Sequence, residues 1–234
     1  MQLLLRLILA HIVADFFLQT DRMSRGKESS NRGRWGYLLL HSAIHALTAY
    51  LAAALWERWE IPFIVFATHL AIDTIKTGHK GHGTGAFLLD QTAHLVVISL
   101  LVAGLQGAEL GREIARLTAH PETPIKYLIA YAVVLKPTSI FMSLLLRRWE
   151  KSGLVTGGLP EAGKWIGFLE RILILTFILA DCAEAIGFLL AAKSIFRYGD
   201  LNKARDIKTT EYVLVGTLIS FTIAILTGYA VKML

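Results

Sequence analysis

"MQLLLRLILAHIVADFFLQT", residues 1–20, is apolar enough to enter a bilayer, yet it carries His11, Asp15 and Gln19 on a four-residue spacing. Side chains four apart stack on one face of an α-helix, with Cβ atoms about 5–6 Å apart. A helix bound for lipid that lines up an imidazole, a carboxylate and an amide must satisfy those groups against other parts of the fold. The chain supplies matching pairs downstream: His41 with His45, His69 with Asp73, and Asp90 with His94, each four apart.

The setting is a membrane. The chain has 234 residues, of which 54% are hydrophobic, and its mean hydropathy is +0.52. That is too apolar for an ordinary soluble domain. A spanning helix needs about 20 mostly apolar residues. Suitable segments are 3–20, 35–56, 61–77, 86–104, 125–146, 165–196 and 211–232. They predict an all-α, polytopic helical membrane protein with about seven spanning or re-entrant helices. Residues 1–104 would form a four-helix membrane region holding the His/Asp pairs. Residues 105–234 would pack on it within the same domain. The N-terminal segment lacks a basic region ahead of its apolar run, so it is expected to be the first span and not a cleaved signal peptide. The single cysteine, Cys182, excludes an internal disulfide.

Charge sets the expected orientation. The net charge of +6 lies mostly in the loops, which suggests topology signals and contact with anionic lipids and argues against nucleic acid as a partner. The stretch 21–34 carries Arg22, Arg25, Lys27, Arg32 and Arg34 against Asp21 and Glu28, so it is expected on the cytoplasmic side. The rule conflicts with strict alternation at 197–210, which is basic but falls on the opposite side. The 32 residues of 165–196 are too long for one span, and a break is expected near Asp181–Glu184. Lys136-Pro137 predicts a bend in the fifth segment. The small residues of GTLIS (216–220) and Ala191–Ala192 predict close helix contacts.

With alternating directions, the four polar pairs fall at matched depth. Counted from the segment ends, Asp15, His41, Asp73 and Asp90 lie about one turn in, and His11, His45, His69 and His94 about two turns in. All eight are candidate metal ligands. Each intramembrane carboxylate costs about 2.5–3.5 kcal/mol on insertion scales, and a bound cation would offset that cost. Mixed His/Asp ligation suits zinc first, with manganese or iron as alternatives, and eight donors allow two ions or more. A polar or protonatable network without metal is the plain alternative.

These residues also resemble a family. HIVADFFLQTD, HSAIH, HLAIDTIK and LLDQTAH look like the bacterial membrane family known as domain of unknown function 3307. So do GKWIGFLERILIL (163–175), GFLLAAKSIFRYGDL (187–201) and EYVLVGTLIS (211–220). The resemblance implies an inner-membrane location but carries no activity. The spacing is also similar to that of zinc-dependent phospholipase C and of membrane-bound metal-dependent hydrolases, which place His and Asp four apart on neighbouring helices. Those soluble enzymes add an N-terminal tryptophan, where this chain has Met1; the likeness is one of spacing.

The function expected is a membrane-embedded metal-dependent hydrolase, phosphoesterase-like, acting on a lipid or headgroup phosphate. Asp15 or Asp73 would bridge metals or take a proton from water. Lys76, three residues past Asp73, would bind a phosphate oxygen or simply reach the interface. Gln19 and Gln91 would support the ligands. His79 and His82 in a Gly-rich loop, and His120, read as surface histidines. The alternatives are a metal or proton-coupled transporter, and a non-catalytic membrane subunit with a structural metal.

Overall fold

The computed structural model describes residues 2–29, 33–78, 83–106, 124–150, 161–198 and 205–234. His79, His82 and His120 lie outside them. Helix α1 (Gln2–Ile12) runs into a π-helical turn (Val13–Leu18). It is followed by α2 (Asp21–Lys27), α3 (Arg34–Ala53), α4 (Glu60–Gly78) and α5 (Thr84–Gln106). Then come α6 (Pro124–Val134), α7 (Lys136–Glu150), α8 (Ala162–Leu179), α9 (Ala185–Tyr198) and α10 (Arg205–Met233). No strand occurs among the described residues.

The protein is all-α, with several helices fit to span a bilayer. Among the described residues, Arg34–Ala53, Thr84–Gln106, Pro124–Arg147 and Thr210–Met233 are long and apolar enough to cross one. Leu3–Leu18 with Asp21–Lys27 makes a fifth if that bent pair is one span. Fewer segments meet this measure than the seven expected; α4, which carries His69, Asp73 and Lys76, is not among them.

Each break has a local cause. The first segment does not continue straight to Thr20. Gln19 turns extended (φ −71°, ψ 115°), and the Thr20 hydroxyl accepts from the Met23 N–H at 3.3 Å, starting a new helix. The two pieces meet at 93°. Part of the basic stretch expected as loop is therefore helix. Pro137 is the second residue of α7, where a missing N–H costs little. The Thr138 hydroxyl donates to the Val133 carbonyl at 2.7 Å, taking up an acceptor that the break frees. The long apolar run breaks at 180–184 as expected, with Asp181 in the left-handed region (φ 58°).

The chain divides into two compact units, Met1–Ile129 and Ala130–Leu234. In the first, α3 packs on α1 and α4, and α5 packs on α1 and α4, so the four form a bundle. One end of this bundle is apolar: Leu3 and Leu7 of α1, Ala53 of α3, Ile61 of α4 and Val102 of α5 are buried together. Trp56 and Trp59 cap that end, with the Tyr50 hydroxyl donating to the Trp56 carbonyl at 2.7 Å. Outward-facing Phe63, Leu89 and Leu100 suit lipid. The opposite end of the bundle holds the polar pairs.

In the second unit, α8 packs against α10 and α9, around Ile174, Leu175, Ile178, Phe221 and Ala224. Between lipid-exposed helices this packing replaces the hydrophobic effect as the cohesive force. Gly216 faces Leu146, with room for a Cβ only 3.3 Å away, which fits the close contact expected of GTLIS. Ala191 and Ala192 are exposed, because α9 presents its other face to α8; the contact expected there is not made among the described residues.

Candidate metal centre

All eight His and Asp side chains of the polar pairs converge. They form three overlapping groups: Asp15, His41, His45 and His69; His11, His69 and His94; and Asp73, Asp90 and His94. Within each group the potential ligand atoms lie within 4.8 Å of one another. The convergence follows from the bundle. Four apart on each helix puts both members on the inward face, and alternating direction brings the four inward faces to the same end.

The two layers counted from the sequence are present. The inner layer is a ring of imidazoles, one per helix. Centroids are 5.2 Å apart for His11–His45, 3.6 Å for His45–His69, 4.2 Å for His69–His94 and 4.9 Å for His94–His11. The outer layer holds Asp15, His41, Asp73 and Asp90. Asp15 Oδ1 lies 3.2 Å from His41 Nε2, and His41 Nε2 lies 3.8 Å from Asp73 Oδ2. On α3 and α5 both layers sit further from the helix start than the sequence count, because these helices begin at Arg34 and Thr84; on the first segment they sit nearer the end, because the helix stops at Leu18. At 1.5 Å per residue, His41 is about 9 Å and His45 about 15 Å along α3 from Trp35.

Gln91, expected to support the ligands, ties the outer layer together. Its amide donates to Asp15 Oδ2 at 2.8 Å and to Asp90 Oδ2 at 3.2 Å, and its carbonyl oxygen lies 3.3 Å from His11 Nε2. Gln19 does not continue the helical stripe, because the π-helical turn ends before it. Its carbonyl oxygen instead accepts from Lys27 Nζ at 2.8 Å. Lys76 is neither solitary nor directed only outward: its ammonium donates to Asp90 Oδ2 at 2.6 Å.

Lys27 was not singled out from the sequence. It is buried on α2 and donates to Asp73 Oδ2 at 2.7 Å. Gly26 allows the approach: a Cβ there would lie 2.3 Å from the Tyr37 ring, so only glycine lets α2 seat this closely on α3. The available signal was Thr20 as an N-cap followed by Met23 and Lys27, four apart and both buried. It was masked by reading a run of arginines as loop.

Hydrogen-bond accounting separates this cluster from an ordinary polar core. Among the described residues, His41 Nδ1, His45 Nε2, His69 Nε2, His94 Nε2 and Asp90 Oδ1 are buried without a hydrogen-bond partner. Each buried unsatisfied polar atom costs about 1–3 kcal/mol, against a total stability of about 5–15 kcal/mol for a typical domain. A divalent cation in the cluster would take up four of them, His45 Nε2, His69 Nε2, His94 Nε2 and Asp90 Oδ1, whereas His41 faces the carboxylates through Nε2 and not Nδ1. The donor set of imidazole nitrogens and carboxylate oxygens, with no thiolate, suits zinc, manganese or iron(II).

Among curated proteins and among solved structures no significant match to the chain is found, so the likeness to zinc-dependent phospholipase C remains one of spacing. A family model described as "Protein of unknown function (DUF3307)" matches residues 3–119, half of the chain. The matched segment contains every helix of the four-helix bundle and all eight converging side chains. The chain is thus a member of the DUF3307 family, and the family's segment is the one that builds this cluster.

Proposed function

We propose that the cluster is a multinuclear divalent-metal site, zinc first with manganese or iron as alternatives. In this reading the protein is a metal-dependent hydrolase of lipid or headgroup phosphoesters in a bacterial inner membrane. One observation carries it: ligand-type side chains from four helices face one another with buried nitrogen and oxygen atoms that have no hydrogen-bond partner among the described residues.

A bound zinc pair would lower the pKa of water toward ~7 and polarise a phosphoryl oxygen. The chain's own groups have definite parts around that chemistry. Asp15, oriented by the Gln91 amide, is the carboxylate with no lysine on it, so it is the base best placed to accept a proton. Lys76, with 37% of its side chain exposed, joins the outer carboxylate layer to the surroundings and can meet an incoming phosphate oxygen. The basic residues of 21–34 would turn this end of the bundle to the cytoplasmic leaflet, where anionic headgroups lie.

The test is elemental analysis of detergent-purified protein alongside hydrolysis of phospholipids and lipid phosphates in mixed micelles. Wild-type protein should retain zinc and release phosphate or a headgroup. Asp15→Ala should lose both. Stoichiometric zinc in Asp15→Ala and Asp73→Ala alike, or wild-type protein free of metal, would overturn the reading.

A carrier for metal or protons is a second reading, favoured by one feature. The inner imidazole ring lies about halfway along α3, and transporter sites favour mid-depth. Zinc uptake into proteoliposomes without phosphoester hydrolysis would select it.

A further inference from the structure

The cluster is not symmetric in charge. The group Asp15, His41, His45 and His69 contains one carboxylate, and its contacts are an amide and imidazoles. The group Asp73, Asp90 and His94 contains two carboxylates, and each already holds a lysine. Lys27 Nζ is 2.7 Å from Asp73 Oδ2, and Lys76 Nζ is 2.6 Å from Asp90 Oδ2. The two groups share no residue, so each can take its own ion. Asp90 Oδ1 and His94 Nε2 are buried, lack a hydrogen-bond partner and lie 3.6 Å apart. The second group is thus ligand-ready on one side and charge-compensated on the other.

The balance can be followed through binding. Asp73, Asp90, Lys27 and Lys76 sum to zero. A divalent cation alone would raise this buried site to +2, which a low-dielectric interior resists. A phosphate dianion arriving with the cation returns the sum to zero. The carboxylates then turn to the metal, and the two ammoniums turn to the phosphate oxygens. Resting on the metal-site reading above, we propose that the Asp15, His41, His45 and His69 group holds a resident metal ion, whereas the Asp73, Asp90 and His94 group takes a second ion only together with a phosphate-bearing ligand that draws off Lys27 and Lys76. The two lysines differ in freedom. The Lys76 side chain is 37% exposed and can swing without backbone movement, whereas Lys27 is 7% exposed and bound to Gln19 as well. Lys27 therefore moves only as α2 moves.

Equilibrium dialysis against zinc, with any affinity tag removed, tests the coupling. Wild-type protein should hold about one zinc per chain without added anion and about two with either inorganic phosphate or phosphatidic acid in mixed micelles. A second zinc with inorganic phosphate identifies free phosphate as a sufficient ligand; a second zinc only with phosphatidic acid identifies the lipid headgroup. Lys76→Met, at a partly exposed position, should bind the second zinc at least tenfold more tightly without anion. Lys27→Met with Lys76→Met should hold two without any. Two zinc ions in wild-type protein without anion, one under every condition, or no change in the Lys76→Met protein would overturn the coupling while leaving the resident metal intact. Wild-type protein with no zinc under any condition would overturn both.

Discussion

Both units bury charged groups within apolar helices, but they treat them differently. In the second unit, Glu170 and Arg171 are adjacent and buried. Glu170 meets Lys193 of α9 at 2.7 Å. The Arg171 guanidinium donates to Ser139 at 2.8 Å, to Ser220 at 3.1 Å and to the Val134 carbonyl. Asp181, in the break before α9, pairs with Lys232. These groups are satisfied by the fold. In the first unit, five buried atoms of the His/Asp cluster have no partner among the described residues. Burial of charge is therefore not what sets the cluster apart; ligand-type side chains that face one another with unpaired atoms are.

That contrast can be broken or sharpened by substitution. Arg171→Ala should have the largest effect on folding. It strands Ser139, Ser220 and the Val134 carbonyl and leaves Glu170 with one cation fewer nearby, and removing one member of a buried charged network costs about 3–5 kcal/mol. Thermal unfolding in detergent should show the loss, while the zinc content of the remaining folded protein stays unchanged. A folded Arg171→Ala protein that loses its zinc would end the distinction between a structural and a functional polar core. Gln91→Leu should act in the opposite sense, with near-normal unfolding but zinc affinity weakened about 10–100-fold, the usual effect of removing a group that orients ligands. Competition with a chromogenic chelator measures it. Arg58→Ala, which removes the exposed pair with Glu60 at 3.0 Å, should change stability by no more than about 0.5 kcal/mol and leave zinc untouched.

The His/Asp side of this contrast was legible in the sequence. The spacing of His11 with Asp15, or of Asp90 with His94, fixes a shared helix face, and alternating helix directions fix a shared end. No tertiary information is needed for either inference. The breaks at Pro137 and near Asp181 were legible for the same reason, since proline and a charged turn act on the backbone locally. What escaped was the course of the chain after Leu18. The π-helical turn ends at Leu18 and Gln19 is extended, so Gln19 left the stripe that a regular period assigned to it. Lys27 escaped with it, because its burial depends on a right-angle bend and on Gly26 against Tyr37. The partners of Glu170 and Arg171 were not legible, since neither residue has a polar group three or four positions away on its own helix to mark a polar face that a neighbouring helix would match.

On the proposal of a bound metal, the distribution of the donors along the chain would order the protein's maturation. Asp15, His41, His45 and His69 are all present once α4 has left the ribosome, so a first ion can be captured by a nascent bundle that still lacks α5. Asp90 and His94 arrive later, after the earlier helices have somewhere to pack. Captured at that stage, the ion would act as a clasp on the growing chain, and metal-starved cells should accumulate a molecule whose first three long helices are vulnerable to membrane proteases.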